Sequence, residues 1–281
     1  MRNRLIKLAA LLFLLMMNGM AWRWFERSNL YYPSRDISAL PRTYGLESEE
    51  VFLTTQDGKR IHAWFIPSRT KDPMTLLLCH GNAGNISDRV HKAALLHKVG
   101  AAVLLFDYRG YGKSEGTPSE EGTYRDAEAS FQYLTGLRGI PLQRIVFYGE
   151  SLGTAVAVEM AKRHAAGGLI LESAFTSTVD MAKIYFPWLP ARWIVTYRYD
   201  SLSKMPGITV PLLVLHSPSD EIVPYRMGQA LYAAAPGDKR FVDLTGSHND
   251  GYLESGDRYP EAVRQFLNHL GTTKLETGSR P

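Results

Sequence analysis

Apolar residues along this chain follow two rhythms. Val51 to Thr55 alternates residue by residue, the mark of a strand with one buried face. Gln56-Asp57-Gly58-Lys59 then gives a turn signal, and Ile61 to Ile66 is the returning strand. Met74 to Cys79, Ala101 to Phe106 and Ile145 to Tyr148 are unbroken apolar runs, as in parallel strands covered on both faces. Leu169 to Leu171, Pro211 to His216 and Arg240 to Leu244 read as further short strands. Between them the helical period takes over: Ile86 to Lys98, Ser119 to Leu134, Leu152 to Arg163, Tyr225 to Ala235 and Pro260 to Leu270. The second of these opens on Pro118 and Ser119 with acids in its first turn, and the third is apolar nearly all round. Gly271 to Pro281 reads as a polar tail. Strands alternating with helices predict a mostly parallel sheet covered on both faces and led by an antiparallel pair.

Two stretches break this rhythm. Phe175 to Pro206 is too long for an unstructured loop and holds Phe186, Trp188, Trp193, Ile194, Tyr197 and Tyr199. It predicts a small lid of one or two short helices inserted after the sixth strand. At the N-terminus Arg2, Arg4 and Lys7 precede an apolar run from Leu8 to Met17, and Trp22, Trp24 and Phe25 follow. A charged flank and a short apolar segment predict an uncleaved signal anchor over residues 1–27, with the aromatics at the membrane interface. The alternative is a signal peptide cut after Ala21, between small residues but ahead of bulky Trp22. Either way the basic flank stays in the cytoplasm and residues 28–281 form a catalytic domain on the other side.

Charge supports that division. The 281 residues carry a formal charge of +4, and five basic side chains against Glu26 already account for it by residue 27. The remainder sums to zero, which argues against nucleic acid as a partner. Cys79 is the one cysteine, so no intramolecular disulfide forms. Its place in an apolar strand makes it a small buried hydrophobe.

The chemistry gathers around Ile145-Val146-Phe147-Tyr148-Gly149-Glu150-Ser151-Leu152-Gly153. A strand running through G-x-S-x-G straight into a helix is the nucleophile-elbow pattern. The turn is sharp enough that side chains at the flanking glycines would strike neighbouring backbone. A serine nucleophile needs a base and an orienting acid, in chain order Ser, acid, His. Asp220 follows the strand ending near His216, and His248 follows the strand ending at Leu244, both at carboxyl ends of strands where such sheets place their sites. Glu221 is the alternative acid. His216 is expected to be a buried neighbour that shapes the acid loop. The oxyanion donors expected are the N–H groups of Leu152 and of Asn82, in His80-Gly81-Asn82-Ala83-Gly84-Asn85, with His80 tying the loop down. Trp188 and Trp193 are candidate substrate-binding residues of the lid. No histidine and carboxylate spacing suggests a metal, and no cofactor is expected.

His80 to Asn85, Asp107-Tyr108-Arg109-Gly110-Tyr111-Gly112-Lys113-Ser114-Glu115-Gly116, Gly149 to Gly153 and Asp220-Glu221-Ile222-Val223-Pro224 together resemble the short-lidded serine hydrolases of the α/β-hydrolase superfamily. They look most like the bud-emergence (Bem-type) group, which is similar to the ABHD-type thioesterases that remove palmitate from proteins. The resemblance spans about residues 28 to 270. It implies the α/β-hydrolase fold, a mostly parallel eight-stranded sheet with a small helical lid. It also implies a Ser151-Asp220-His248 triad, and membrane association in many members. Ser217-Pro218-Ser219 departs from the family, which commonly has a glycine after the histidine, yet keeps Asp220. The function expected is hydrolysis of esters or thioesters through an acyl-enzyme, on a small-molecule or lipid-like acyl substrate. The rivals are a peptidase of prolyl-oligopeptidase type and a non-catalytic scaffold on the same fold.

Overall fold

A computed structural model describes residues 19–277, with side chains to residue 272. Most of the expected anchor, residues 1–18, lies outside the described residues. Residues 19–30 form a helix, α1, and the chain leaves it through a short strand, β1 (Tyr32–Pro33). β2 (Glu49–Thr54) and β3 (Arg60–Ile66) make the expected antiparallel pair. β4 (Thr75–Cys79) follows, then β5 (Ala83–Gly84), which pairs with β1 in a small parallel ladder that the apolar pattern did not announce. Ile86–Arg89 is a 3-10 turn, and α2 proper runs Val90–Lys98. Asn85 caps that turn by accepting the Ser87 N–H, while Asp88 accepts the Asn85 N–H, so both first-turn donors are satisfied.

Beyond β6 (Ala102–Phe106), α3 (Glu120–Gln132) is capped by Ser119, whose hydroxyl accepts the Gly122 N–H. β7 (Ile145–Glu150) runs into α4 (Leu152–Arg163), and β8 (Gly168–Glu172) leads to the lid. The lid holds α5 (Thr178–Tyr185) and the single turn α6 (Ala191–Ile194). β9 (Leu212–His216), α7 (Tyr225–Ala234), β10 (Lys239–Asp243), a short α8 (Gly251–Glu254) and α9 (Arg258–Thr277) complete the chain. Residues 271–277, expected as a polar tail, continue α9 instead. Thr272-Thr273-Lys274 follow Gly271 with no proline to stop the helix, which carries on from a packed turn at Phe266, Leu267 and Leu270.

The eight-stranded sheet has the order β10-β9-β8-β7-β4-β6-β3-β2, with only β3 opposed to its neighbours. Strand side chains alternate between its faces. Leu77, Cys79, Leu104, Phe106 and Phe147 meet α3, α4 and α7 on one side. Leu76, Leu78, Val103, Leu105, Val146 and Tyr148 meet α2 and α9 on the other. With both faces covered, the strands must be apolar throughout, which is why they read as unbroken runs. From β4 the chain first adds β6 on one side, then crosses to add β7 on the other. The strand order therefore switches between β4 and β7, and a crevice opens at their carboxyl ends.

The lid is tied to both neighbours. Tyr199 is buried beneath it, its hydroxyl bonded to Tyr31 (2.8 Å) and Thr123 (2.9 Å). The Glu120 carboxylate accepts the N–H groups of Arg198 and Tyr199. Across from this, α1 packs on the lid: the Trp22 indole donates to the Ile194 carbonyl (2.7 Å), and Glu26 Oε1 accepts the N–H groups of Thr196 and Tyr197.

Candidate active site

Ser151 stands between β7 and α4 with φ +50° and ψ −116°. A residue with a side chain rarely adopts that conformation, and it costs about 1–3 kcal/mol. The geometry explains both flanking glycines. A Cβ on Gly149 would lie 2.4 Å from Thr154 Cα, and one on Gly153 would lie 2.0 Å from the Cys79 carbonyl oxygen. The Ser151 N–H donates to the Glu172 carbonyl on the next strand (2.9 Å), which pins the turn.

Three side chains from three loops meet there. His248 Nε2 lies 2.9 Å from Ser151 Oγ, and His248 Nδ1 lies 2.8 Å from Asp220 Oδ2. Burial alone would raise the Asp220 carboxyl. Hydrogen bonds from His216 and His248 and from the Val223 N–H outweigh it and hold the group below the usual carboxylate range. His216 Nε2 reaches both Asp220 Oδ2 (3.3 Å) and the Val223 carbonyl (3.1 Å), so it grips the acid loop. Glu221, the alternative acid, is placed differently. Its carboxylate accepts the backbone N–H of His248 (3.0 Å) and holds the histidine loop rather than the ring.

The loop after β4 lies opposite. The Asn82 carbonyl accepts from the Tyr32 N–H and the Tyr111 hydroxyl, and its side-chain amide donates to the Leu30 carbonyl. Asn82 is thus clamped on three sides beside Ser151. Leu152 opens α4, so its N–H has no acceptor within the helix, and the helix N-terminus favours negative charge. His80 is buried against Tyr108 and Tyr111, with Nδ1 on the Gly81 carbonyl (2.7 Å). Burial pushes its pKa down to about 4, so it is a neutral packing group.

Ser151, His248, Asn82 and Leu152 line a cleft of about 640 Å³. Its walls are largely apolar and come from two sources: Trp22, Phe25 and Leu30 of α1, and Met181, Phe186, Ile194 and Tyr197 among others in the lid. The structure corrects the expectation for two lid residues. Trp188 and Trp193 do not line the cleft; they are 77% and 85% exposed. Trp188 sits in the turn after α5 has ended, and Trp193 is on the outer side of α6, whose Ile194 already fills the inward position. α1, which spans the expected boundary at residue 27, is the contributor the sequence did not reveal.

Behind Ser151 lies a buried ionic cluster that also escaped sequence reasoning. Lys92 Nζ meets Glu150 Oε2 (2.5 Å) and both oxygens of Glu172 (3.0 Å). Arg89 meets Glu150 from the other side (3.1 Å), and Glu172 accepts the Tyr148 hydroxyl. Burial opposes ionisation of Glu150, but Lys92 and Arg89 overcome it and hold the carboxyl below its ordinary range. Glu150 and Glu172 end paired parallel strands, directly opposite one another. That pairing was the available signal: two acids on neighbouring buried strands require a cation between them. Gly81 rests on this cluster, where a Cβ would come within 3.2 Å of Arg89 and 3.3 Å of Glu150.

Comparison with known proteins agrees with this architecture. A family model described as alpha/beta hydrolase fold matches residues 75–200. An uncharacterised protein of Mycobacterium tuberculosis is 37% identical over 270 residues, covering 95% of this chain and 96% of its own. The alpha/beta hydrolase domain-containing protein WAV2 of Arabidopsis thaliana is 33% identical over 277 residues, covering 89% and 90%. Among solved structures, an esterase of Pyrococcus furiosus superposes with a TM-score of 0.70 at 22% identity, covering 85% of this chain and 97% of that one, a likeness of fold.

The cluster makes a pH-dependent prediction. In Lys92→Met, two buried carboxylates lose their shared cation, and stability should fall by about 3–5 kcal/mol at neutral pH. Burial then dominates and raises carboxyl pKa values in the folded variant. A raised folded pKa favours folding at low pH and loses that advantage as pH climbs through it. The gap between wild type and variant should therefore widen from pH 5 to pH 8. Urea unfolding at several pH values measures it, and a gap independent of pH would refute the account.

Proposed function

The chain belongs to the α/β-hydrolase family, and from that premise we propose that it is a serine hydrolase cleaving carboxylic esters or thioesters through an acyl-enzyme. The observation that carries this reading is the unbroken hydrogen-bonded line from Ser151 Oγ through His248 to Asp220, set in an apolar cleft. Ser151 Oγ attacks the acyl carbon as His248 Nε2 takes its proton. The carbonyl π electrons move onto oxygen, where the N–H groups of Asn82 and Leu152 receive them. One such donor is typically worth about 3–4 kcal/mol. Collapse of the intermediate expels the alcohol or thiol, which takes the proton from His248. Water, deprotonated by the same nitrogen, then releases the acyl group and restores Ser151. Asp220 holds His248 in the tautomer that leaves Nε2 free to accept, and it stabilises the imidazolium.

The apolar walls favour an acyl chain over a polar leaving group as occupant of the cleft. The basic flank of Arg2, Arg4 and Lys7 before Leu8 to Met17 supports a domain held at a membrane on its non-cytoplasmic side, with secretion after cleavage as the alternative.

Ser151→Ala should abolish labelling by a fluorophosphonate and lower turnover on the order of 10⁶-fold. Asp220→Asn should fold normally and lose on the order of 10⁴-fold. Substantial activity in Ser151→Ala would remove the serine from its role, and an undiminished Asp220→Asn would transfer the acid's role to Glu221.

A profile of kcat/KM against acyl length tests the occupant. Each methylene fully withdrawn from water adds about 0.8 kcal/mol, or roughly fourfold. Preference for medium or long chains should flatten in Phe186→Ala and Ile194→Ala while acetyl-ester turnover is retained. A profile flat in wild type would defeat the acyl pocket and leave the serine mechanism standing.

Orientation is open to a reporter fused at the C-terminus and expressed in a bacterial host. A reporter that works only outside the cytoplasm should be active; activity of a cytoplasm-specific reporter instead would reverse the orientation.

A further inference from the structure

The rim of the cleft carries a surface that the chemistry does not use. Among the described residues fourteen large apolar side chains are exposed, and ten of them belong to α1, β1, the lid or the cleft residue Ile222. Trp24, Trp188 and Trp193 are the most prominent tryptophans, and none lines the cleft. Each adjoins a residue that does: Trp24 precedes Phe25, Trp188 packs edge-on against Phe186, and Trp193 precedes Ile194. Apolar exposure gathered this way marks a contact surface.

Charge narrows the choice of partner. Arg23, Arg192 and Arg198 are exposed on the same two elements. No guanidinium of the three has a carboxylate within ion-pair distance among the described residues; that of Arg198 donates to the Arg192 carbonyl. The chain reaches this surface directly from residues 1–18, whose sequence runs through Arg2, Arg4 and Lys7 into the apolar Leu8 to Met17. Among the described residues no helix is long and apolar enough to cross a membrane.

We propose that this rim docks on the surface of an anionic lipid bilayer, so that the cleft takes acyl chains from the lipid phase. Indole rings favour the boundary between headgroups and acyl chains. Guanidinium groups beside them pair with lipid phosphates, which explains arginines left without carboxylates. A second copy of this chain fits less well, because a two-fold contact would bring this arginine-bearing patch onto itself. α1 then lies along the interface with one face on the cleft and Met20 and Trp24 on the other. The docking stands on exposure and charge alone; its consequence for substrate rests on the acyl-hydrolase reading.

The test uses the full chain on phosphatidylcholine vesicles, with and without phosphatidylglycerol, whose acyl chains carry bromine as a fluorescence quencher. Three of the five tryptophans lie on the rim, so bromination should quench roughly half of the emission, more with phosphatidylglycerol. In the combined variant Trp24→Ser, Trp188→Ser and Trp193→Ser, the fraction of protein that sediments with the vesicles should drop severalfold. Turnover of a long-chain ester held in vesicles should fall on the order of tenfold, while a soluble short-chain ester is hydrolysed as before. Emission of the wild type indifferent to bromine, or equal sedimentation of both proteins with the vesicles, would overturn the docking. So would a dimer in sedimentation that the variant dissociates without any lipid effect, which would give the surface to a second copy. If neither protein hydrolyses any ester, quenching still decides the docking, and only the acyl-hydrolase reading falls.

Discussion

The structure turns on the backbone of Ser151. Its conformation is unfavourable for any residue with a side chain, and locally only the Thr154 N–H and hydroxyl, both donating to the Ser151 carbonyl, help to hold it. Most of the restraint comes from outside the turn. β7 is locked between β4 and β8, and α4 packs so closely on β4 that only hydrogen fits at Gly153. Burial of the apolar face of α4 offsets the strain, since each fully buried Val or Leu side chain contributes about 1.5–3 kcal/mol. The exposed hydroxyl is a consequence of packing elsewhere.

The same packing creates a second problem and solves it. Closing β7 against β8 brings Glu150 and Glu172 face to face in the interior. Lys92 from α2 lies between them, and Arg89 one turn earlier holds Glu150 from the side of Gly81. The two cations thus join four pieces that must agree in position: the end of β7, the end of β8, α2, and the loop that presents Asn82. A fully paired buried cluster of this kind tolerates little displacement, because a lost partner leaves a bare charge.

The other side of the cleft follows softer rules. The lid is held by Tyr199 beneath, by Glu120 at its return, and by Trp22 and Glu26 across from it. Its inward residues meet α1, so the cavity is walled by segments some 170 residues apart in sequence. An N-terminal segment that reads as a device for reaching a membrane is also part of the cavity wall.

How much of this was legible depended on the range of the physics. Apolar period is local, so eight strands, their helices and the lid could be read from side-chain order alone. The strained turn is local too, and Gly149 and Gly153 record it as plainly in sequence as in space. Chain order and strand ends marked Asp220 and His248, with Glu221 beside Asp220 as the alternative acid. One residue of difference along the chain became a ring contact for one and a backbone contact for the other. The expectation that Trp188 and Trp193 bind substrate failed because an insertion without a sustained period does not declare its buried face; Phe186 and Ile194 turn in while Trp188 and Trp193 turn out. Lys92 looked like one more polar position on a helix until sheet register set two carboxylates around it. Sequence determines what each segment must be, through forces that act over a few residues. Tertiary structure decides which segments share a space, because desolvation and charge pairing depend on distances that no short stretch of chain contains.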